Sequence, residues 1–370
     1  MLLKVLELKN FRLHKNSRIS FSDKLNYIIG GNGQGKTSAL EAIYYLCTTK
    51  NLNQAADSEA VNFNERMFEI KGLFSELTEN KVRFFYELDS GKKNYFLDEK
   101  QVHRASAIIG KFPVVTLTQT DHAITAGSPA GRRKMVDSII SQASAAYLRI
   151  LLDYNKTLKQ RSALLSQIRE TRDYSLLTEL DAWNESLINN GVEIIKHRIN
   201  FAKDFSSYVS KAYLRIMAEK ETPSIEYRHL AVENEENIRD AFHKRISAMR
   251  EDELRRATNL VGPHRDDFMF KINGMELRKF GSQGQHKTFQ IALRFGQFFY
   301  LQDALSKTPV FLLDDVFGEL DSFRAGKISE FLTEVGQAFI TMTDFSRLER
   351  LQRNESDKVI EVNNGTIAYA

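Results

Sequence analysis

Cysteine is almost missing from this chain: Cys47 is the only one among 370 residues. No disulfide can form within the chain, and a reducing compartment is expected. Proline is scarce as well, at 5 residues, and with an apolar fraction of 42% this argues for a folded, soluble protein. No apolar run approaches the roughly 20 residues that a membrane helix needs, so no membrane association is expected. A charge excess is nearly absent, since 52 Lys and Arg against 48 Asp and Glu leave +4. That balance permits nucleic-acid binding without implying it. The opening residues, Met1 to Arg12, alternate like a strand and lack the layout of a signal peptide. A cytoplasmic location is the expectation. Internal repeats and low-complexity tracts are absent too.

What is present is concentrated between Leu25 and Cys47. Leu25, Tyr27, Ile28 and Ile29 are a short apolar run suited to a buried parallel strand. The turn Gly30-Gly31-Asn32-Gly33-Gln34-Gly35-Lys36-Thr37 is a full match to G-x-x-x-x-G-K-[ST]. A helix follows from Ser38, with Leu40, Ile43, Tyr44 and Leu46 spaced for burial on one side. The glycines let the backbone curl so that N–H groups face phosphate oxygens, and the helix N-terminus adds partial positive charge. Lys36 can reach the β- and γ-phosphates of a nucleoside triphosphate, and the Thr37 hydroxyl can ligate Mg²⁺. A chance glycine-rich loop is the bland alternative, but strand, loop and helix occur in the required order.

Strand patterns precede and follow this stretch. Met1 to Leu8, Ile19 with Phe21, Phe68 to Ile70, Val82 to Tyr86 and Phe112 to Leu117 all have strand character. From Gly131 to about Asn259 the pattern turns helical and highly charged, with Leu151, Leu158 and Leu165 at seven-residue spacing. Helices are expected over roughly Leu176 to Lys220 and from about Asn234, with a strand-like piece at Ser224 to Leu230 between them. Strands return at Phe268 to Leu277, where Asn273-Gly274 signals a hairpin, then at Val310 to Asp314, Ala338 to Thr341 and Val359 to Ala370. The expectation is one mixed α/β domain split by a helical insertion.

Two further stretches carry chemistry. In Pro309-Val310-Phe311-Leu312-Leu313-Asp314-Asp315 an apolar strand ends in carboxylates. Asp314 would hold Mg²⁺, and Asp315 is placed to orient or deprotonate an attacking water, unless it is a mere turn aspartate. Phe280-Gly281-Ser282-Gln283-Gly284-Gln285 opens a helix, either as a second phosphate contact or as an ordinary N-cap by Ser282. Basic residues gather between Gly131 and Arg172, with nine Lys or Arg against three Asp or Glu. Arg132, Arg133, Lys156, Lys159 and Arg161 are the chosen candidates for contacts to a DNA backbone, against the alternative of a solvated helix face. Arg245, Arg250, Arg255 and Arg256 form a second cluster. No sequence-reading DNA motif is present, so duplex shape and charge would be recognised.

The glycine loop, Ser282-Gln283-Gly284-Gln285, Leu312-Leu313-Asp314-Asp315 and Glu319-Leu320-Asp321 together resemble the Walker A, signature, Walker B and D-loop motifs of ABC-type ATPases. Further stretches resemble the RecF family in particular: Leu8-Lys9-Asn10-Phe11-Arg12, Gly127-Ser128-Pro129 with Arg132-Arg133, Gly262-Pro263-His264-Arg265-Asp266-Asp267, and Leu313 to Asp321. The resemblance implies an α/β fold: an ABC-type P-loop ATPase head with a mixed sheet and an inserted, mainly helical arm. Residues 1–125 would form the N-terminal part of the head, 126–260 the arm, and 261–370 the C-terminal part. It implies ATP and Mg²⁺ as cofactors. The nucleotide would be held by Gly30, Gly31, Asn32, Gly33, Gln34, Gly35, Lys36, Thr37 and Ser38, with Arg12, Ser282 and Gly284. The metal would be held by Thr37, Asp314 and Gln119, and catalysis would rest on Asp315, Lys36 and Ser282.

The resemblance implies an ATP-dependent homodimer that clamps duplex DNA near single-strand gaps and works with RecR and RecO to help RecA load. Three departures stand out. Gln119-Thr120-Asp121 replaces a Pro-Glu-Asp run, Thr341-Met342-Thr343-Asp344 stands where many ABC proteins have a switch histidine, and Asp315 is one methylene shorter than the glutamate of transporters. A slow, DNA-stimulated ATPase working as a switch is the expectation. The alternatives are an ATPase subunit of a membrane transporter, an SMC-like tethering head, an ATPase-coupled nuclease and a scaffold with negligible hydrolysis. The transporter would need a switch histidine and a compact helical subdomain, the tether a much longer arm, and the nuclease more chain after Asp321.

Overall fold

Strands that bury every second residue pair into antiparallel sheets with one wet face, whereas strands buried throughout belong to covered parallel sheets. This chain has both kinds. Glu79–Glu87 alternates, with Val82, Phe84 and Tyr86 inward, while Leu25–Ile29 and Ala338–Met342 are buried along their whole length. The computed structural model describes residues 1–369 except 54, 218–220, 230–237 and 344–353. The chain folds into two compact units.

The first unit comprises Met1–Asp121, Ala212–Ala218 and Gln290–Ala370. Its antiparallel sheet runs His14–Ser20, Leu2–Phe11, Met67–Ser75, Glu79–Glu87, Lys92–Leu97, Lys100–Val102 in spatial order. Its second sheet runs Thr366–Tyr369, Lys358–Asn363, Leu25–Ile29, Ala338–Met342, Val310–Asp314, Val114–Thr118, and every neighbouring pair is parallel except the terminal hairpin. The helix Lys36–Thr48 shares one apolar core with residues of both sheets, including Leu6, Phe68, Phe84, Leu312 and Ile360. The parallel register sets Asp314 beside Thr341 and Thr341 beside Ile28, so three strands end together. The carboxyl ends of parallel strands are where such sheets bind ligands.

The second unit comprises His122–Lys211 and Glu219–Phe289. It holds the helices Pro129–Ala143, Ala145–Thr171 and Ile238–Arg256 and most of Leu177–Met217. A small antiparallel sheet orders Met275–Glu276, Asp267–Ile272 and Pro223–Arg228. Asn273 and Gly274 both have positive φ, 50° and 79°, as a two-residue hairpin turn requires. The unit boundaries at 121/122 and 289/290 differ from those expected at 125/126 and 260/261. Composition could not place the second one, because Asp267–Ile272 is drawn to the helical unit by pairing with Pro223–Arg228. The helix starts near Asn234 by sequence, a point outside the described residues, and is described from Ile238.

Gly262-Pro263-His264-Arg265-Asp266-Asp267 is the knot of this unit. Arg198, 2% exposed, donates to the Pro263 carbonyl at 2.6 Å and to both Asp137 oxygens at 2.8 and 2.9 Å. Tyr154 Oη lies 2.7 Å from His264 Nδ1, and Tyr227 donates to Asp266. Arg265 donates to the Asn259 carbonyl at 2.6 Å. A Cβ at Gly262, where φ is 131°, would lie 2.4 Å from Tyr154 Oη, so only glycine fits beneath that hydroxyl. Burial pushes the His264 imidazole down to about 4, so it stays neutral inside the knot at neutral pH.

Candidate nucleotide-binding site

The turn after Leu25–Ile29 bends sharply because glycine lets it pass close to other backbone. At Gly30 a Cβ would sit 2.3 Å from the Val362 carbonyl oxygen of the neighbouring strand. Gly35, with φ 106°, is the N-cap of Lys36–Thr48, and no side chain caps that helix. The first-turn N–H groups are therefore left to an external acceptor, the arrangement that binds phosphate. Lys36 Nζ donates to the Gly30 and Gly31 carbonyls at 2.8 and 2.7 Å, holding the ammonium across the loop. Burial lowers its pKa, while the Asp315 and Asp314 carboxylates oppose that shift.

Asp314 and Thr37 meet as expected. Thr37 Oγ1 donates to Asp314 Oδ1 at 2.9 Å, joining the glycine loop to the end of the Val310–Asp314 strand. The same oxygen accepts from Thr341 Oγ1 at 2.7 Å, and Thr341 Oγ1 accepts the Asp315 N–H at 2.8 Å. Thr341 is fully buried. In sequence Thr341 is marked only as standing where many ABC proteins have a switch histidine, and nothing there ties it to Asp314. Only the register beside Asp314 reveals its position. Of the stretch Thr341 to Asp344, Asp344 lies outside the described residues.

Asp315 adopts a left-handed conformation, with φ 49°, which turns its side chain out of the strand. Gln119 Nε2 donates to Asp315 Oδ2 at 3.4 Å, so the candidate glutamine faces the second carboxylate. Two residues on, Asp121 makes a buried bidentate pair with Arg294 at 2.6 and 2.7 Å. Arg12 is held by Glu41 at 3.0 Å through two nitrogens and by the Glu59 carbonyl at 2.8 Å, and the Glu41 contact raises its pKa. A hydroxyl beside a carboxylate is a hard oxygen pair, the donor type that suits Mg²⁺ when phosphate and water complete the shell. Among the described residues no group of three or more His, Cys, Asp or Glu side chains could hold a metal alone.

In the second unit Ser282 forms a reciprocal cap. Its Oγ accepts from the Gln285 N–H at 3.2 Å, and Gln285 Oε1 accepts the Ser282 N–H at 2.8 Å. Ser282 itself is exposed. Two of the DNA-contact candidates are corrected by the structure. Arg161 is fully buried and bonded to Asn184, Asn259 and Glu253, and Arg132, 2% exposed, makes a bidentate pair with Asp267 at 2.8 and 2.9 Å. Both are internal ties. Arg133 is half-buried and donates to the Asp266 carbonyl. Lys156 and Lys159 are exposed on the same helix as Arg161. In the second cluster, Arg250 pairs with Asp181 and Arg255 with Asp252.

Comparison with known proteins gives the family and the fold. Residues 2–368 match the family described as "RecF/RecN/SMC N terminal domain". "DNA replication and repair protein RecF" of Chloroherpeton thalassium is 42% identical over 348 residues, covering 92% of this chain and 94% of that one. Its namesake in Salinibacter ruber is 36% identical over 351 residues, covering 93% and 85%. A solved structure described as "Structure of the recombination mediator protein RecF-ATP in RecFOR pathway" superposes with a TM-score of 0.90 at 31% identity, covering 100% of this chain and 97% of that one. An Smc head domain of Pyrococcus furiosus shares the fold at a TM-score of 0.57 and 16% identity, covering 100% and 95%. With its joined glycine loop and Asp314 strand in an ABC-type ATPase head, this chain belongs to the RecF family of DNA replication and repair proteins.

Proposed function

We propose that this chain binds and slowly hydrolyses ATP with Mg²⁺, and that ATP-driven dimerisation lets it clamp duplex DNA beside single-strand gaps. The observation that carries this reading is the Thr37–Asp314 contact at 2.9 Å with Asp315 immediately beyond it. It unites a triphosphate cradle, a metal-holding pair and a second carboxylate within one unit. Gly30 to Ser38 would cradle the phosphates, with Arg12 nearby, and Lys36 would leave the Gly30 and Gly31 carbonyls for the β- and γ-phosphates. Thr37 and Asp314 would hold Mg²⁺, with Gln119 at its edge. Bound there, the ion would neutralise charge developing on the phosphates.

Asp315 would take the proton of the attacking water. Its backbone N–H is held by Thr341, so the carboxylate is positioned from behind. As one methylene fewer than glutamate reaches less far, turnover would be slow. Ser282 and Gly284 would meet the γ-phosphate of the other subunit, which makes nucleotide the bond between subunits. The exposed Lys156 and Lys159 would contact the DNA backbone. The family relatives' place in the RecFOR pathway supports RecR and RecO as partners and RecA loading as the outcome. Among the described residues no helix is long and apolar enough to cross a membrane.

Single-turnover hydrolysis of radiolabelled ATP, with and without gapped duplex DNA, tests the proposal. Slow release of phosphate that DNA accelerates is the expected result. ATP binding with no hydrolysis in either condition would leave an ATP-gated scaffold instead.

A further inference from the structure

We propose that His14, with the turn Asn364-Gly365 at the tip of the terminal hairpin, is a positioning element of the phosphate loop. It turns two successive peptide groups so that their N–H bonds face the phosphates. This rests on the reading of the loop as the nucleotide site.

His14 opens the strand His14–Ser20 and is fully buried. Its Nε2 lies 3.1 Å from the Gly35 carbonyl oxygen. A carbonyl can only accept, so this contact is a hydrogen bond in the tautomer that carries the ring hydrogen on Nε2, which leaves Nδ1 as an acceptor for the Ser17 hydroxyl. On the other edge of the ring, Nδ1 lies 3.0 Å from Ser17 Oγ and 3.1 Å from the Gly365 carbonyl oxygen, and Ser17 Oγ also reaches that carbonyl at 2.7 Å. The imidazole thus sits between the phosphate loop and the terminal turn, with Ser17 Oγ between its Nδ1 and the Gly365 carbonyl.

The terminal turn grips the preceding loop residue directly. Gly365 N donates to the Gln34 carbonyl at 3.0 Å, and Asn364 N donates to Gln34 Oε1 at 2.7 Å. The carbonyls of Gln34 and Gly35 are therefore both held from outside the loop. In a planar trans peptide the C=O and the following N–H point in opposite directions. Holding Gln34 O and Gly35 O outward aims the N–H groups of Gly35 and Lys36 inward, where the loop receives phosphate. The Ala39 N–H reaches the Gly35 carbonyl only at 3.3 Å, so the first helical bond alone orients that peptide weakly. A Cβ at Gly35 would lie 3.0 Å from His14 Nε2, which shows how closely the ring is set against the loop.

The test is equilibrium titration of the full chain with fluorescent ADP and AMP, beside thermal melts. AMP lacks the β-phosphate and takes little from the loop, so a positioning role separates the two nucleotides. His14→Ala should weaken ADP binding about fivefold to tenfold, as for one lost hydrogen bond, and AMP binding by less than about twofold. His14→Gln keeps an amide donor of similar reach and should restore ADP binding to within about twofold of the parent. Equal weakening of ADP and AMP, or unchanged ADP affinity, overturns the proposal. If His14→Ala does not fold, Ser17→Ala decides, since it removes the hydroxyl beside Nδ1 that favours the hydrogen on Nε2. A loss of about twofold to threefold for ADP alone supports the positioning role of His14, and no difference overturns it. Lys36→Ala guards the underlying reading. If it binds ADP as tightly as the parent, the loop is not the nucleotide site, a result distinct from any His14 outcome.

Discussion

Replacing Arg161 tests whether a cation in a basic stretch meets DNA or holds the arm together. The side chain is fully buried on Ala145–Thr171. Its Nε donates to Asn184 Oδ1 at 2.9 Å, its Nη2 to Glu253 Oε2 at 2.8 Å, and its Nη1 to Asn259. Glu253 is 2% exposed, and its other oxygen accepts the Leu260 N–H at 2.7 Å. In Arg161→Met the apolar stem survives, but the Glu253 carboxylate is left buried with that one donor. Breaking a buried pair in this way costs about 3–5 kcal/mol. With a urea dependence of about 2 kcal/mol per molar, the unfolding midpoint of the second unit should fall by about 2 M. Far-ultraviolet circular dichroism against urea reads it directly. Arg161→Met with Glu253→Leu should regain at least half of the loss, because no charge is then stranded. A loss below about 1 kcal/mol, together with weaker DNA binding, would show that Arg161 faces solvent and refute the reasoning.

Three other outcomes are expected. Asp315→Asn should leave ATP binding within about twofold while slowing single-turnover hydrolysis at least about 100-fold, as loss of a general base does; hydrolysis at the parent rate would remove Asp315 from the chemistry. Neutralising Lys156 and Lys159 together should lower the slope of log affinity for DNA against log salt by up to about 2, and an unmoved slope would place the DNA surface elsewhere. His264 titrates near 4 in the fold against 6.5 for a free imidazole, so the unfolded chain binds more protons between those values. Its share of stability is complete above pH 6.5 and is lost as pH falls towards 4, about 3 kcal/mol in all. Urea melts from pH 7 to pH 4 should show this slope, and His264→Gln should flatten it.

The fold and the residues of the candidate nucleotide site were legible because their signals are local. Gly30 to Thr37 is contiguous, and it needs glycine at Gly30, where a Cβ would come within 2.3 Å of Val362 O. Val310 to Asp315 is contiguous too, an apolar strand delivering acid at its end. Asn273-Gly274 announces its own hairpin. The arm was harder, because two stripes on one helix share the same period. Leu151, Leu158 and Leu165 recur every seven residues, and so do Tyr147, Tyr154, Arg161 and Ile168. All four of the second set are buried, whereas Leu151 is only half-buried and Leu158 is not buried either. A period says which residues share a face and not which face turns inward. A buried arginine is chosen only once Glu253 and Asn259, 92 and 98 residues away, supply its acceptors.

The amino-acid sequence by itself determined the ATPase head, the order of its motifs and the family, since each rests on residues adjacent in the chain. Tertiary structure alone decided the rest. It set Thr341 beside Asp314 through strand register, and it turned Arg132 and Arg161 from surface cations into internal ties. It also brought Gly365 to within hydrogen-bonding reach of Gln34, across 331 residues of chain, so that the last hairpin braces the first loop. Hydrogen bonds between distant residues leave no periodicity or motif in a sequence, because their geometry exists only after the core has packed.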